Sequence, residues 1–146
     1  MINNKNSRLN YNSIEDKWVA TKKIGKNEVA MEFYDISIHH GQFDWCVVLC
    51  VYHKRKHIDY NIENKEKTFS DIRHLLFARN VMIDFIKNIT DQYGEHMEHT
   101  IIVHWLDNRR RIAYERALAP LGFKYDKYDG KKVLKYKIRK DGQNGN

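Results

Sequence analysis

Residues 43–53 read FDWCVVLCVYH, and this stretch decides how the rest of the chain is organised. Apolar side chains fall on both parities of the run, so neither face of a strand built from it can look at water. Such a run reads as a strand in the middle of a sheet, covered on both sides. A buried helix would also be apolar all round, but the length and the β-branched and aromatic content favour a strand. Cys46 and Cys50 then face the same side, roughly 13 Å apart along the strand. That separation excludes a disulfide between them. Two buried, reduced thiols are expected, consistent with a cytoplasmic compartment.

Upstream of this strand, residues 17–24 alternate weakly and end in Gly25-Lys26-Asn27, a hairpin turn. Residues 28–39 alternate better, with a break of phase near Tyr34-Asp35 that suggests a bulge. Downstream, residues 58–63 (IDYNIE) alternate cleanly. Thr68-Phe69-Ser70-Asp71 then has capping-box spacing and opens a long helix. Along it Ile72, Leu75, Leu76, Met82, Ile83, Ile86, Ile89 and Tyr93 recur at three- and four-residue spacing, and this stripe is the expected packing face. Gly94 supplies the stop. Residues 100–106 (TIIVHWL) form another apolar strand, and Asp107 or Asn108 caps a second helix that ends near Ala119, before Pro120. Two alternating strands flank Asp129-Gly130, a strong hairpin signal. The expected fold is α/β (α+β), in the order β-β-β-β-α-β-α-β-β: a mixed, mostly antiparallel sheet with flanking helices. Residues 1–15 read as a flexible arm, 16–140 as one domain and 141–146 as a disordered tail.

The 146 residues suit one ordinary domain. No apolar run approaches the ~20 residues that cross a bilayer. The polar start, MINNKNSRLNYNS, lacks the apolar stretch of a secretory signal. A cytoplasmic location follows as the expectation. The net charge of +7 favours anionic partners such as nucleic acid, phosphorylated cofactors or acidic proteins. It concentrates at Lys54-Arg55-Lys56, Arg109-Arg110-Arg111 and Lys131-Lys132. The abundance of Asn, Lys and Ile points to an AT-rich genome, such as that of many phages.

The residues Asp107-Asn108-Arg109-Arg110-Arg111-Ile112-Ala113-Tyr114-Glu115-Arg116, continued by Leu121-Gly122-Phe123-Lys124, resemble the GNAT N-acetyltransferase superfamily. In that family an Asn after an apolar strand opens a helix carrying Ala and Tyr-Glu, which ends at Gly-Phe before the last hairpin. The resemblance implies a GNAT-like fold, acetyl-CoA as cofactor, and transfer of an acetyl group to an amine on a protein or small molecule. It places Asn108 and Arg111 beside the cofactor and makes Tyr114 the candidate general acid. The family position for that acid, four residues before the Gly of Gly-Phe, is Leu118 here, and Tyr114 lies one turn earlier. The family's glycine-rich pyrophosphate loop falls on residues 64–70, which contain no glycine. There Lys65, Lys67, Thr68, Phe69 and Ser70 are the candidate contacts, with phosphate favoured at a helix N-terminus. Glu63 and Glu66 would oppose it. The two helices that usually follow the family's first strand have no room in this chain.

Other constellations carry weaker chemistry. His53, His57, Asp59 and Glu63 could act as a general base given reach and a suitable pKa. His96, Glu98, His99 and His104 could supply imidazole and carboxylate to a metal, but no second group with ligand spacing exists, and no metal is expected. Tyr125, Tyr128 and Tyr136 interleave with Lys in the final hairpin, as in a single-strand nucleic-acid surface. Three functions follow as alternatives: an acetyltransferase, a non-catalytic accessory module on the same scaffold that has lost CoA binding, and a basic nucleic-acid-binding module.

Overall fold

A computed structural model describes residues 9–37, 41–53, 56–59, 72–93, 97–105 and 108–138, with the side chains of residues 51–53, 56–59 and 109 left out. Among these residues eight strands build one sheet: β1 (Asn10–Asn12), β2 (Lys17–Ile24), β3 (Asn27–Asp35), β4 (Gln42–His53), β5 (Lys56–Asp59), β6 (Glu98–Val103), β7 (Lys124–Tyr128) and β8 (Lys131–Ile138). Two described α-helices accompany them, α1 (Ile72–Tyr93) and α2 (Asn108–Leu118). The sheet order is β1-β2-β3-β4-β6-β8-β7, with β5 paired to β4 off that path. Every pairing is antiparallel except β4 with β6. The chain is thus an α+β protein with a mostly antiparallel sheet, as the alternation patterns indicate.

The strand read as central is central, lying between β3 and β6. Its parities divide the molecule. Trp45, Val47 and Leu49 join Phe33, Met31, Ile101, Val103 and Leu134 in a core closed by Phe77, Val81 and Phe85 of α1 and by Tyr114 and Leu118 of α2. Both helices therefore lie on one face. On the other face Asp44, Cys46 and Cys50 sit among Lys17, Glu32, Tyr34 and Thr100. Both cysteines are free, Cys50 buried and Cys46 half-buried.

Three expectations change. The arm expected over residues 1–15 already contains β1, so five described strands precede α1. Asn12 Oδ1 accepts hydrogen bonds from the N–H groups of Ile14 (3.0 Å) and Glu15 (3.1 Å), turning the chain, and the Tyr11 ring packs on Trp18. Residues 1–8 and 141–146 lie outside the described residues. Strand β3 stops at Asp35, where a bulge is expected, and the Ile36 N–H instead donates to the Asp44 carbonyl at 2.8 Å. The packing face of α1 is also rotated from the expected stripe. His74, Phe77, Ala78, Val81, Met82, Phe85 and Ile89 are buried, whereas Ile72, Leu76 and Ile83 are exposed. Phe77, Val81, Phe85 and Ile89 repeat every four residues and bring larger rings to the sheet; Phe85 stacks on Phe33 at 3.8 Å.

Local signals hold where the chemistry is specific. Asp129 and Gly130 both have positive φ, as a two-residue hairpin turn of this hand requires. Helix α2 passes into a single 3-10 turn, Ala119–Leu121, and Gly122 closes it with φ 109°. A Cβ at Gly122 would come within 3.0 Å of the Tyr136 ring, so space and backbone both demand glycine.

Candidate functional site

In sheets with parallel strands, ligands enter beyond the carboxyl ends of neighbouring strands, where the connections diverge. Here the parallel pair is β4 and β6, in register from Gln42 opposite Glu98 to Val47 opposite Val103. Beyond Val47 they part. β6 ends and leads to α2, while β4 continues to His53. The outer edge of that continuation is already paired: Cys50, Val51, Tyr52 and His53 lie opposite Asp59, Ile58, His57 and Lys56 of β5. Among the described pairings, Val48 and Leu49 remain between the two neighbours.

Under this gap lies a cavity of about 30 Å³, lined by Leu49, Ala78, Val103, His104, Tyr114 and Leu118 among others. It has room for a water molecule or two. Tyr114 reaches it from the inner side of α2 and is only 7% exposed. His104, at the end of β6, has its pKa lowered by burial and by the neighbouring Lys131 charge, which favours a neutral imidazole.

Asn108 and Arg111 lie elsewhere, on the outward side of the α2 N-terminus. Asn108 Oδ1 accepts from Arg111 Nε at 3.4 Å, and Arg111 Nη1 donates to the Tyr125 hydroxyl at 2.7 Å. Glu115 approaches the same guanidinium at 4.0 Å. Lys132 Nζ stands 4.5 Å from the centre of the Tyr125 ring, and Trp105 meets that ring edge-on at 5.8 Å. The Tyr125 pKa is raised, by its contact with Glu115 first and by burial next, against the opposing effect of Arg111. Arg111 is therefore engaged inside a cation–aromatic group.

Of the residues expected to form the site, Asn108 and Arg111 come together, whereas Tyr114 lines the cavity and they do not. Lys65, Lys67, Thr68, Phe69 and Ser70 lie outside the described residues, as do Glu63 and the side chains of His53, His57 and Asp59. The Arg109-Arg110-Arg111 run does not act as one patch, because Arg110 is buried while Arg111 is half-exposed. Successive helix residues point about 100° apart, which a charge run conceals. Nor do the hairpin tyrosines share a surface. Tyr125 and Tyr136 face α2 and Phe123, whereas Tyr128 is on the opposite face of the sheet.

The candidate metal residues also separate. Glu98 pairs with Lys137 at 3.2 Å on one face, while His99 is buried on the other. Among the described residues no three His, Cys, Asp or Glu side chains are grouped to hold a metal. His99 Nδ1 accepts from the Trp45 indole N–H at 3.1 Å, so the neutral ring carries its proton on Nε2. Phe43 stacks on the imidazole at 5.0 Å, and Tyr93 tilts against it at 5.2 Å. Burial pulls the His99 pKa down to about 4, with Asp35 opposing. Only the tertiary fold assembles this group, from α1, β4 and β6.

No described helix is long and apolar enough to cross a membrane. No protein-family model, curated protein or solved structure matches this chain.

Proposed function

We propose that this chain is a non-catalytic binding module on a GNAT-like scaffold. The scaffold half of the reading is supported by the parallel β4–β6 pair, with α1 between those strands in sequence, by α2 after β6, and by the closing β7–β8 hairpin. The binding half rests on one observation: the gap between the parallel strands is closed. Strand β5 pairs along β4, and Tyr114 and Leu118 fill the space beneath, leaving about 30 Å³. The described residues therefore do not fit an acetyl thioester with its arm. Arg111 and Asn108 are bonded to each other and Arg111 to Tyr125, outside the lining of that cavity. Calorimetric titration with acetyl-CoA tests the reading. No heat and no thermal shift are expected at millimolar cofactor; saturable binding would overturn it.

A second reading, acetyl transfer to an amine of a protein or small molecule, is favoured by one feature. Tyr114 and His104 share the cavity where the parallel strands part, which is where a general acid would be needed. On that reading Lys65, Lys67, Thr68, Phe69, Ser70, Asn108 and Arg111 would contact acetyl-CoA. It requires both cofactor binding and a turnover that Tyr114→Phe abolishes. Either result missing removes it.

A further inference from the structure

Positive charge gathers on the β7–β8 hairpin, which ends the sheet on one side. Between residues 124 and 138 it carries Lys124, Lys127, Lys131, Lys132, Lys135 and Lys137 against Asp126 and Asp129. All of these lysines except Lys135 are exposed. The register sets like charges face to face: Lys124 lies directly opposite Lys135, and Lys127 directly opposite Lys132. Cross-strand neighbours of one sign destabilise a hairpin unless an opposite charge comes between them. Asp126 does this for Lys135 at 3.5 Å, and the same ammonium donates to the Lys127 carbonyl at 3.0 Å. Lys132 rests over the Tyr125 ring, which orients its ammonium without neutralising it. Among the described residues no carboxylate pairs with Lys124, Lys127, Lys131 or Lys132.

The division of these cations between two faces decides which anion fits. Lys127 and Lys132 share the face that bears Tyr125, whereas Lys124 and Lys131 lie on the opposite face. The rings are not laid out for stacking. Tyr125 is committed to Trp105 and Arg111, Tyr136 packs on Phe123, and Tyr128 stands on the other face. Successive bases of a single strand would find no platform on them. Beyond its last pair with β6, Val103 opposite Leu134, the ribbon runs on through Lys132 and Lys131 for about 10 Å. The major groove of B-form DNA is about 12 Å wide and about 8.5 Å deep, and it admits a two-stranded ribbon between two walls of phosphate.

We propose that this hairpin enters the major groove of duplex DNA, the lysines of each face meeting the phosphates on their own side. The contacts are made to the backbone, so binding does not depend on base sequence. The inference gives a partner to the binding module proposed above and rests on that reading.

The test is fluorescence anisotropy of the full chain with a labelled DNA duplex of about two helical turns, roughly 20 base pairs. The single strand and an RNA duplex of the same length serve as comparisons. Saturable binding of the DNA duplex is expected at low salt. Its log K should fall against log salt with a slope of roughly −3 to −4, as four phosphate contacts imply. The RNA duplex, with a major groove too narrow for side chains, and the single strand should both bind less tightly. Lys124→Gln with Lys127→Gln should lower the affinity by about tenfold and reduce the slope by about 2. That change relieves both opposed pairs, so Tm should hold or rise. Should it fall, Lys127→Gln alone carries the test, with a slope reduced by about 1. Lys22→Gln with Lys26→Gln removes the same charge toward the other end of the sheet and should leave binding nearly unchanged.

Absence of duplex binding, equal binding of the single strand, or equal losses from the two double variants overturns the proposal. Displacement of the duplex by phosphatidylserine vesicles, lost on substituting Lys124 and Lys127, would assign the hairpin to a membrane surface instead. The two readings fail separately. Acetyl-CoA binding would remove the non-catalytic module and leave the DNA result standing, whereas a duplex that does not bind removes only this partner.

Discussion

The two faces of the sheet are made from the same strands by opposite means. On the helix-covered face, β3 contributes Val29, Met31 and Phe33, and α1 meets them with Val81 and Phe85. Every one of these is nearly or wholly buried, and ring stacking fixes their spacing. On the other face the alternate residues of β3 are Ala30, Glu32 and Tyr34. Lys17 Nζ donates to Glu32 at 2.6 Å and pairs with Glu15 at 2.5 Å, while the Tyr34 hydroxyl donates to Glu32 at 2.8 Å. Burial alone would lower the Lys17 pKa, but the hydrogen bonds to Glu15 and Glu32 outweigh it and hold the ammonium above the usual lysine range. No described helix covers this side. One face is held by apolar area and shape, the other by paired charge, and the two should fail under different challenges.

The covered face should be broken most severely by removing volume. Phe85→Ala deletes the ring that stacks on Phe33 and meets Trp45 edge-on at 5.2 Å. A loss of about 3–5 kcal/mol is expected from urea unfolding. A loss below about 1 kcal/mol would mean that this face is loosely packed.

Acid should weaken the covered face next. His99 is held neutral, its pKa lowered from 6.5 to about 4. In the unfolded chain the imidazole takes up a proton first as pH falls. The stability is intact above about pH 6.5 and declines progressively toward about pH 4, by an amount of order 2–3 kcal/mol. Unfolding midpoints measured across that window should fall less steeply for His99→Phe than for the natural chain. Equal slopes would place the acid sensitivity elsewhere.

The charged face should respond less to deletion. Glu32→Ala leaves Lys17 with Glu15 and Tyr34, at a cost of about 2 kcal/mol. Glu32→Gln keeps the shape and should recover part of it. If Glu32→Ala cost as much as Phe85→Ala, the distinction between the faces would be wrong. The smallest effect belongs to the outer side of α1. Ile83→Ser should cost no more than about 1 kcal/mol, because the side chain is already 40% exposed.

Much of this fold is legible in the sequence because its signals are local. The apolar run in β4, the Asp129-Gly130 turn and the Gly122 stop each describe a conformation that only certain residues tolerate. The orientation of α1 is not local. The helix carries more apolar residues than one face can bury, and spacing alone does not distinguish Leu76 and Ile83 from Phe77 and Phe85; the rings of the facing sheet do. The candidate site is less legible still. Asn108, Arg111 and Tyr114 share one helix, yet the first two face Tyr125 and the third faces the core. Closure of the gap beside β4 depends on where β5 pairs, which alternation in residues 58–63 cannot specify. The described strand begins earlier, at Lys56.

The place of β8 in the sheet has a kinetic consequence. It follows β6 and β7 in the chain, yet it lies between them, bonded to β6 through His99 to Val103 and to β7 along its other side. The sheet therefore cannot grow outward one strand at a time. Until residues 131–138 arrive, β6 offers a bare, strongly apolar edge to any strand that meets it, its own kind included. Slow closure of this seam would make the half-assembled protein prone to aggregate, even though the finished sheet hides that edge.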